Sequence, residues 1–146
     1  NIVPYSFPVE LLKGNHDFVN DTYTISLYTS IAAYSTASTV FTATGEVSSG
    51  GGSQYAAQNL TGNAVSNVAN YATVDFTPDP VWGSPTPATF SALGAAIYNL
   101  SDSNKLVVVL DFGATFSCSN GTFTVTFPAP TAGTPSGADA LLSINS

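Results

Sequence analysis

The sequence predicts an all-β fold, an antiparallel β-sandwich or jelly-roll-like domain with one short N-terminal helix. Three observations carry this prediction. Apolar and β-branched runs of strand length recur along the chain, clusters of Gly, Pro, Asn and Asp separate them, and a helix signature occurs near the N-terminus. The runs number about seven or eight, the range of sandwiches and jelly rolls. A chain of 146 residues fits one such domain.

The helix signature lies in residues 8–14. Pro8 stands at a plausible first helical position and Gly14 follows the last turn, which is the usual distribution of these residue types at helix ends. We therefore predict an N-terminal arm with a short helix over residues 1–20. A β-sandwich domain is predicted over residues 21–146.

Residues 22–28 contain the first strand signal. Tyr23, Ile25 and Leu27 fall on one face, and small hydroxyl-bearing residues fall on the other. This alternation predicts a strand that is buried on one side.

The middle of the chain combines strand signals with residues that interrupt strands. Strand-like runs cover residues 54–60 and 70–76. The three consecutive glycines at 50–52 predict a wide hairpin tip or a flexible loop. Four prolines surround Trp82, and proline has no N–H to donate within a central strand. This stretch therefore predicts an edge strand or a rigid loop, which Trp82 fastens to the sheet.

Two later runs predict long strands. Residues 89–98 fit a helix or a two-sided strand by periodicity alone. We predict a strand, because the flanks are rich in proline and the neighbouring segments are strands. Residues 106–112 form a β-branched run that predicts a strand buried on both faces, the best candidate for the central strand of a sheet.

The C-terminal part of the chain predicts a hairpin and a last strand. Asn120 and Gly121 form the strongest short hairpin signal, between residues 116–118 and 123–127. After a loop rich in Pro and Gly, residues 138–144 can supply the last strand.

The charge of the chain limits its partners. The formal net charge is −7, and Lys13 and Lys105 are its only Lys or Arg residues. The sequence therefore predicts no nucleic-acid binding and no attraction to anionic membranes. Only 8% of the residues are charged, against roughly 25% in an average soluble domain. A surface of short uncharged polar groups costs little to desolvate, which suits permanent protein contacts.

Residues that could support catalysis are few. His16 is the one base suited to neutral pH, and its Gly-Asn-His-Asp surroundings predict a polar turn. Asp75 and Asp79 are the nearest pair of carboxylates, in a setting typical of a strand end and a turn. Cys118 stands alone and is expected in the core, with no intrachain disulfide. We predict no enzyme activity, no metal site and no cofactor.

The aromatic residues leave two interpretations open. On the surface they would form a platform on which sugar rings stack, whereas in the interior they would belong to the core of the sandwich. We favour the core. The residues concerned are Tyr28, Tyr34, Tyr55, Tyr71 and Trp82.

Six segments, taken together, carry a resemblance. They are ELLKGNHDF (10–18), DTYTISLYTS (21–30), TGEVS (44–48), ALGAAIYN (92–99), VVVLDFG (107–113) and FTVTFP (123–128). In their order and spacing they resemble a family of small structural proteins of tailed bacteriophages. The chain departs from the family's pattern at residues 48–53, where a serine- and glycine-only loop replaces an aromatic-containing one, and in a longer Pro-rich loop around Trp82.

The resemblance implies a non-enzymatic virion protein and brings no catalytic residue. We expect a capsid decoration or cement protein on the capsid surface that binds and stabilises the major capsid protein. A homotrimer is expected, because threefold positions of a capsid demand matching symmetry. The N-terminal arm is the expected contact, through Tyr5, Phe7, Leu11, Leu12 and Phe18.

The alternative implied by the same resemblance is a module of the tail or of a fibre that binds a receptor or a glycan. Its expected contacts are Trp82, Tyr55 and Tyr71.

Overall fold

A computed structural model describes residues 1–68, 71–128 and 142–145 of the chain. Within these residues the protein is mostly β-strand, with antiparallel sheets and one short helix, which confirms the predicted fold class. The elements are α1 (Ser6–Leu12), β1 (Tyr23–Tyr28), β2 (Gln58–Leu60), β3 (Ala64–Val68), β4 (Tyr71–Asp75), β5 (Val81–Trp82), β6 (Ala88–Asn99), β7 (Lys105–Gly121), β8 (Phe123–Thr124) and β9 (Leu142–Asn145).

Three antiparallel sheets form a sandwich-like arrangement. The largest has the strand order β2-β1-β6-β7, the second the order β3-β4-β9, and the third consists of β5 and β8. A hydrophobic core, here called the first core, joins one face of the largest sheet to residues in or beside the smaller sheets. Among the latter are Val74, Phe76, Trp82 and Phe127.

Strand β1 is buried on both faces, which corrects the prediction of one buried side. Tyr23, Ile25 and Leu27 lie in the first core, as their alternation predicts. The opposite face belongs to a second core, which the loop 29–47 covers. The second core consists of Tyr28, Tyr34, Ala96, Leu106 and Val109, with Ile2, Ile31 and Phe41 packed against them.

The predicted central strand lies at an edge. The strand predicted over residues 89–98 is confirmed as β6, and β6 and β1 occupy the centre of the largest sheet. Residues 106–112 belong to β7, whose outer edge is covered by chain outside the strands. The N–H of Ile2 donates to the carbonyl of Val109 at 2.7 Å, and the N–H of Leu106 donates to Thr39 at 3.0 Å. Because this chain buries the outer edge, the first part of β7 can be as apolar as a central strand although it lies at the edge of the sheet.

Strand β7 continues to Gly121, so the hairpin predicted at Asn120 and Gly121 is wrong. A two-residue type I′ turn needs positive φ at both central residues, and only Asn120 has it, at 49°. The next strand, β8, pairs with β5 instead. Within the β6–β7 ladder, Gly94 faces Asp111 and Ala92 faces Phe116, so β7 contains a bulge at residues 112–115.

The helix α1 begins at Ser6, before the predicted start at Pro8, and Gly14 follows it with a φ of 75°. Phe7, on its inner side, is buried in the first core. Phe18 is also buried there, and its ring stacks on Tyr23 with centroids 4.6 Å apart. The segment predicted as an arm therefore packs on the sandwich and contributes to its core.

Side-chain hydrogen bonds fasten two loops to the sheets. The hydroxyl of Tyr28 donates to the carbonyl of Thr42 at 2.6 Å and lies 2.7 Å from the hydroxyl of Tyr34. The indole N–H of Trp82 donates to the carbonyl of Ala56 at 2.7 Å. The Pro-rich segment is thus held by Trp82, as predicted.

The weaker strand signals are confirmed in part. The run at 54–60 yields the short β2 and the run at 70–76 yields β4, with Asn70 outside the described residues. Strand β3 was missed. The strand predicted over residues 138–144 corresponds to β9, and residues 138–141 lie outside the described residues. The glycines at 50–52 occupy an exposed turn.

Candidate functional site

One side of helix α1 presents apolar side chains to solvent. Tyr5 is 75% exposed, Val9 50% and Leu12 90%. Residues spaced by four and then three positions lie on one side of a helix, so these three side chains form one surface, here called the helix face. Leu12 is a large aliphatic side chain with almost no cover from the protein.

The structure divides the predicted contact residues of the N-terminal segment. Tyr5 and Leu12 lie on the helix face. Leu11 is partly buried and packs against the first core. Phe7 and Phe18 are buried in that core, at 2% and 6% exposure, so their prediction as partner contacts is wrong. They support the helix from beneath.

An apolar groove lies beside the end of the helix, with a volume of about 420 Å³. Leu11, Phe18 and Val19 contribute to one wall, and Val65 and Val74 to the other. Val19 and Val65 are exposed, at 67% and 52%. The groove adds apolar area close to the helix face.

A larger groove of about 850 Å³, here called the β7 groove, lies on the far part of the largest sheet. Leu110, Asp111, Phe112, Phe116 and Ser117 of β7 form one wall. Residues 122–128 form the other wall, and Asn1 also lines the groove. Phe116 is 52% exposed.

The sugar-binding platform, the alternative to the favoured core interpretation, is wrong for most of its members. Trp82 is 2% exposed and Tyr55 is 5% exposed, and their rings lie in the first core. Tyr28 and Tyr34 are buried in the second core, which confirms the interior interpretation for these four aromatics. Tyr71, at the start of β4, is half-buried. A glycan cannot stack on Trp82 or Tyr55 in this structure.

The buried tyrosines act as anchors. Tyr55 donates its hydroxyl to Glu46 at 2.8 Å and accepts the N–H of Leu27 at 2.9 Å. Burial raises the pKa of Tyr55 and of Tyr28 above the usual range, so both hydroxyls keep their protons as donors.

The residues considered for catalysis lie in several parts of the fold. The side chain of His16 is fully enclosed, with Nε2 3.3 Å from Glu10, so it lies in the core and not in the predicted polar turn. Asp79 accepts the N–H of Phe127 at 2.9 Å. Asp75 lies at the end of β4, and Cys118 is buried as predicted. Among the described residues, no group of three or more His, Cys, Asp or Glu could hold a metal ion.

The two cations of the chain are placed differently. Lys105 donates to Asp102 at 2.6 Å, and this hydrogen bond lowers the pKa of Asp102 below its ordinary value of 3.8. Lys13 follows the helix and is exposed. The single helix in the described part of the chain has seven residues, and no helix there is long and apolar enough to span a membrane.

Comparisons with protein-family models, with curated proteins and with solved structures give no match to this chain. Evidence on function therefore comes from its own residues. Sequence reasoning missed Val9 and the β7 groove. The spacing of Tyr5, Val9 and Leu12 could have indicated the helix face, had the helix been predicted to begin at Ser6.

Proposed function

We propose that this protein is a non-enzymatic structural component of a tailed-phage virion, a capsid decoration protein whose helix face binds the major capsid protein. The near-complete exposure of Leu12, with Tyr5 and Val9 beside it, is the observation that supports this proposal most. The resemblance of six segments to phage structural proteins supports the choice of particle.

The helix face acts as the apolar anchor of a larger contact. Burying one leucine side chain contributes roughly 1.5–3 kcal/mol, and Tyr5 and Val9 add to this. A stable interface buries roughly 1,200–2,000 Å² in total, more than three side chains supply. The remainder comes from the surrounding uncharged Ser, Thr and Asn surface, which is desolvated at little cost.

The helix is fixed before it meets its partner. Phe7 anchors its inner side in the first core, and the N–H of Tyr5 donates to the carbonyl of Thr36 at 2.8 Å. A contact surface that is already ordered loses less conformational entropy on binding. The major capsid protein would therefore bind a helix face that is already rigid.

Binding to purified shells of the major capsid protein tests the contact. We expect Leu12→Gln to weaken binding about tenfold, because an apolar anchor of more than 1 kcal/mol is lost. Leu100→Gln is the matched control, since Leu100 is also an exposed leucine, at 47%, but lies in the turn before β7. Equal binding by the parent protein and the Leu12 variant would overturn the role of the helix face.

Gold-labelled antibody microscopy of purified virions tests the location independently of any residue. Label on the heads is the expected result. Label confined to tails would overturn the capsid role and favour the tail alternative, and unlabelled particles would overturn the virion proposal.

The homotrimer is part of the proposal. Light scattering on the purified protein should give three times the chain mass of 15.0 kDa. A monomer in solution that also binds the shell singly would overturn the trimer and leave the helix contact in place.

A further inference from the structure

The helix α1 is too short to stay ordered by itself. It has seven residues, with no acidic side chain in its first turn and no basic side chain in its last. Tyr5 at the N-cap forms no side-chain capping hydrogen bond with the described residues. Isolated helices shorter than about 12–15 residues are marginal in water. The order of the helix face therefore depends on contacts with the rest of the fold.

The Leu12 end of the helix face is held by one end of the largest sheet. Asn15, which follows the helix, donates through Nδ2 to Asp102 at 3.1 Å. Its carbonyl accepts Nδ2 of Asn99, the last residue of β6, at 3.1 Å. None of these contacts involves the loop 29–47, so they hold this end of the face whether or not that loop is ordered.

The Tyr5 end of the helix face is held by the loop 29–47. The N–H of Tyr5 donates to the carbonyl of Thr36 at 2.8 Å. This N–H belongs to the group at the start of a helix that has no intrahelical acceptor. The loop therefore supplies an acceptor that the helix itself lacks, and the position of the Thr36 carbonyl determines where the helix face begins.

The carbonyl of Thr36 belongs to a turn that Tyr34 anchors. The turn is closed by the N–H of Ser38, which donates to the carbonyl of Ser35 at 3.0 Å. Tyr34 directly precedes this turn and is buried in the second core at 6% exposure, whereas Thr36 is exposed. Because the turn lies on the surface, the buried ring of Tyr34 fixes its position on the fold.

The hydroxyl of Tyr34 holds that ring in place. It lies 2.7 Å from the hydroxyl of Tyr28 on β1 and accepts the N–H of Thr42 at 3.1 Å. Removing one member of a buried hydrogen bond leaves the other without its partner. Tyr34→Phe would therefore deprive the Thr42 N–H of its acceptor and loosen the loop 29–47, while the apolar ring stays in the second core.

We propose that the loop 29–47 positions the Tyr5 end of the helix face, with Tyr34 as the positioning residue. A surface that is ordered before binding loses less conformational entropy on binding, so the order of this loop sets part of the affinity of the helix face. The inference rests on the proposed function, because it takes the major capsid protein as the partner. It assigns part of the binding to a buried residue outside the contact.

Hydrogen exchange measured by NMR on the free protein tests the positioning. Tyr34→Phe should accelerate exchange of the Tyr5 amide about threefold to tenfold, whereas the Asn15 amide at the other end of the helix face keeps its rate. Ser38→Ala removes the hydroxyl that accepts the N–H of Ser35 and should act in the same direction with a smaller effect. Ser38 lies in neither core, so this second variant leaves both cores intact.

Binding to purified shells of the major capsid protein tests the consequence. Tyr34→Phe should bind about threefold to fivefold more weakly, because the Tyr5 end of the helix face must be ordered again on binding. Trp82→Phe is the matched control, since it also removes a side-chain donor that fastens a loop, the indole N–H that bonds to Ala56. This control should leave the shell affinity and the Tyr5 amide unchanged. Urea unfolding establishes that both variants are folded under the conditions used.

Four results would overturn the inference. These are an unchanged Tyr5 amide in folded Tyr34→Phe, equal acceleration of the Tyr5 and Asn15 amides, faster exchange at Tyr5 with unchanged shell affinity, and equal effects of Trp82→Phe. Should Tyr34→Phe not fold, Ser38→Ala decides by the same two measurements. The proposed function fails by a different result, the absence of shell binding by the parent protein, and exchange at Tyr5 in the free protein still tests the positioning by the loop.

Discussion

The two halves of β7 belong to one strand and have opposite environments. Residues 106–109 are buried, and their outer edge is covered by the N-terminal residues and by the loop 29–47. Residues 113–117 are exposed, and no described residue outside β6 pairs with their backbone. The bulge at 112–115 separates the halves. One strand therefore belongs to the core in its first half and is exposed over residues 113–117 of its second.

The two halves differ in burial because chain from the loop 29–47 and the N-terminus packs over the first half, and not because their residues differ in preference for strands. The first half contains Val107, Val108 and Val109 and the second contains Phe112, Thr115 and Phe116, so both halves contain residue types that favour strands, and both pair with β6. Among the described residues, the second core packs over the first half, whereas Cys118 of the second half lies in the first core and residues 113–117 are exposed. Mutations in the residues that pack over the first half should therefore alter the burial and hydrogen exchange of the first half more than those of the second.

Leu106→Ala should give the largest loss of stability, about 3 kcal/mol, because it leaves a cavity at a fully buried position in the first half. Phe116→Ala in the second half is the matched truncation and should cost less than about 1 kcal/mol, since the ring is half-exposed. Urea unfolding measures both. Similar losses for the two variants would contradict the division of β7.

Gly94→Ala should cost about 2 kcal/mol at the junction of the halves. A Cβ at Gly94 would lie 2.4 Å from the carbonyl oxygen of Leu110, so the backbone must shift. Gly50→Ala is the control, because a Cβ there meets only the Ser48 hydroxyl at 3.6 Å. Thermal unfolding compares them, and an unchanged midpoint for Gly94→Ala would show that the junction is adaptable.

Tyr28→Phe should destabilise the protein by about 1–2 kcal/mol, because the carbonyl of Thr42 and the hydroxyl of Tyr34 lose a buried partner. The loop 29–47 would loosen, and the amide of Leu106, which bonds to Thr39, should exchange faster. Tyr5→Phe on the exposed helix face should change neither quantity. Exchange measured by NMR separates this loss of cover from global unfolding, which would also accelerate the amides of β1.

The smallest effect on stability should come from Asp102, in the turn before β7, when its partner Lys105 is replaced. Because its pKa is lowered in the folded state, its ionisation stabilises the protein above pH 3.8, and this contribution is lost as the pH falls through the lowered pKa. Lys105→Gln should raise the pKa of Asp102 toward 3.8. NMR titration of the Asp102 carboxyl group checks this, and an unchanged pKa in the variant would show that Lys105 does not cause the lowering.

Local patterns in the sequence were sufficient for the elements that depend on local chemistry. Strand β6, the strand alternation of β1 and the position of Gly14 after the helix were all predictable. The second buried face of β1 was not predictable, because the loop 29–47 that covers it contains no helix or strand whose hydrophobic pattern would indicate a core. Burial by a loop depends on tertiary contacts such as those of Tyr34.

The candidate site was predictable only in part. Tyr5 and Leu12 were identified, but Phe7 and Phe18 have the same apolar character and lie in the core. Composition cannot separate the two pairs, since the distinction depends on which side of the helix meets the sheet. The β7 groove depends on the course of the chain after Gly121, where the Asn-Gly pair indicated a hairpin that does not form.

The turn at residues 50–52 offers a place to display foreign peptides. A Cβ added at Gly51 or Gly52 would meet no atom of the described residues within 4 Å, so none of these residues packs closely against this tip. An epitope or affinity tag inserted between these two glycines would project outward without disturbing either core. If the protein decorates a shell in many copies, each copy would carry that insert, and the particle would become a multivalent scaffold.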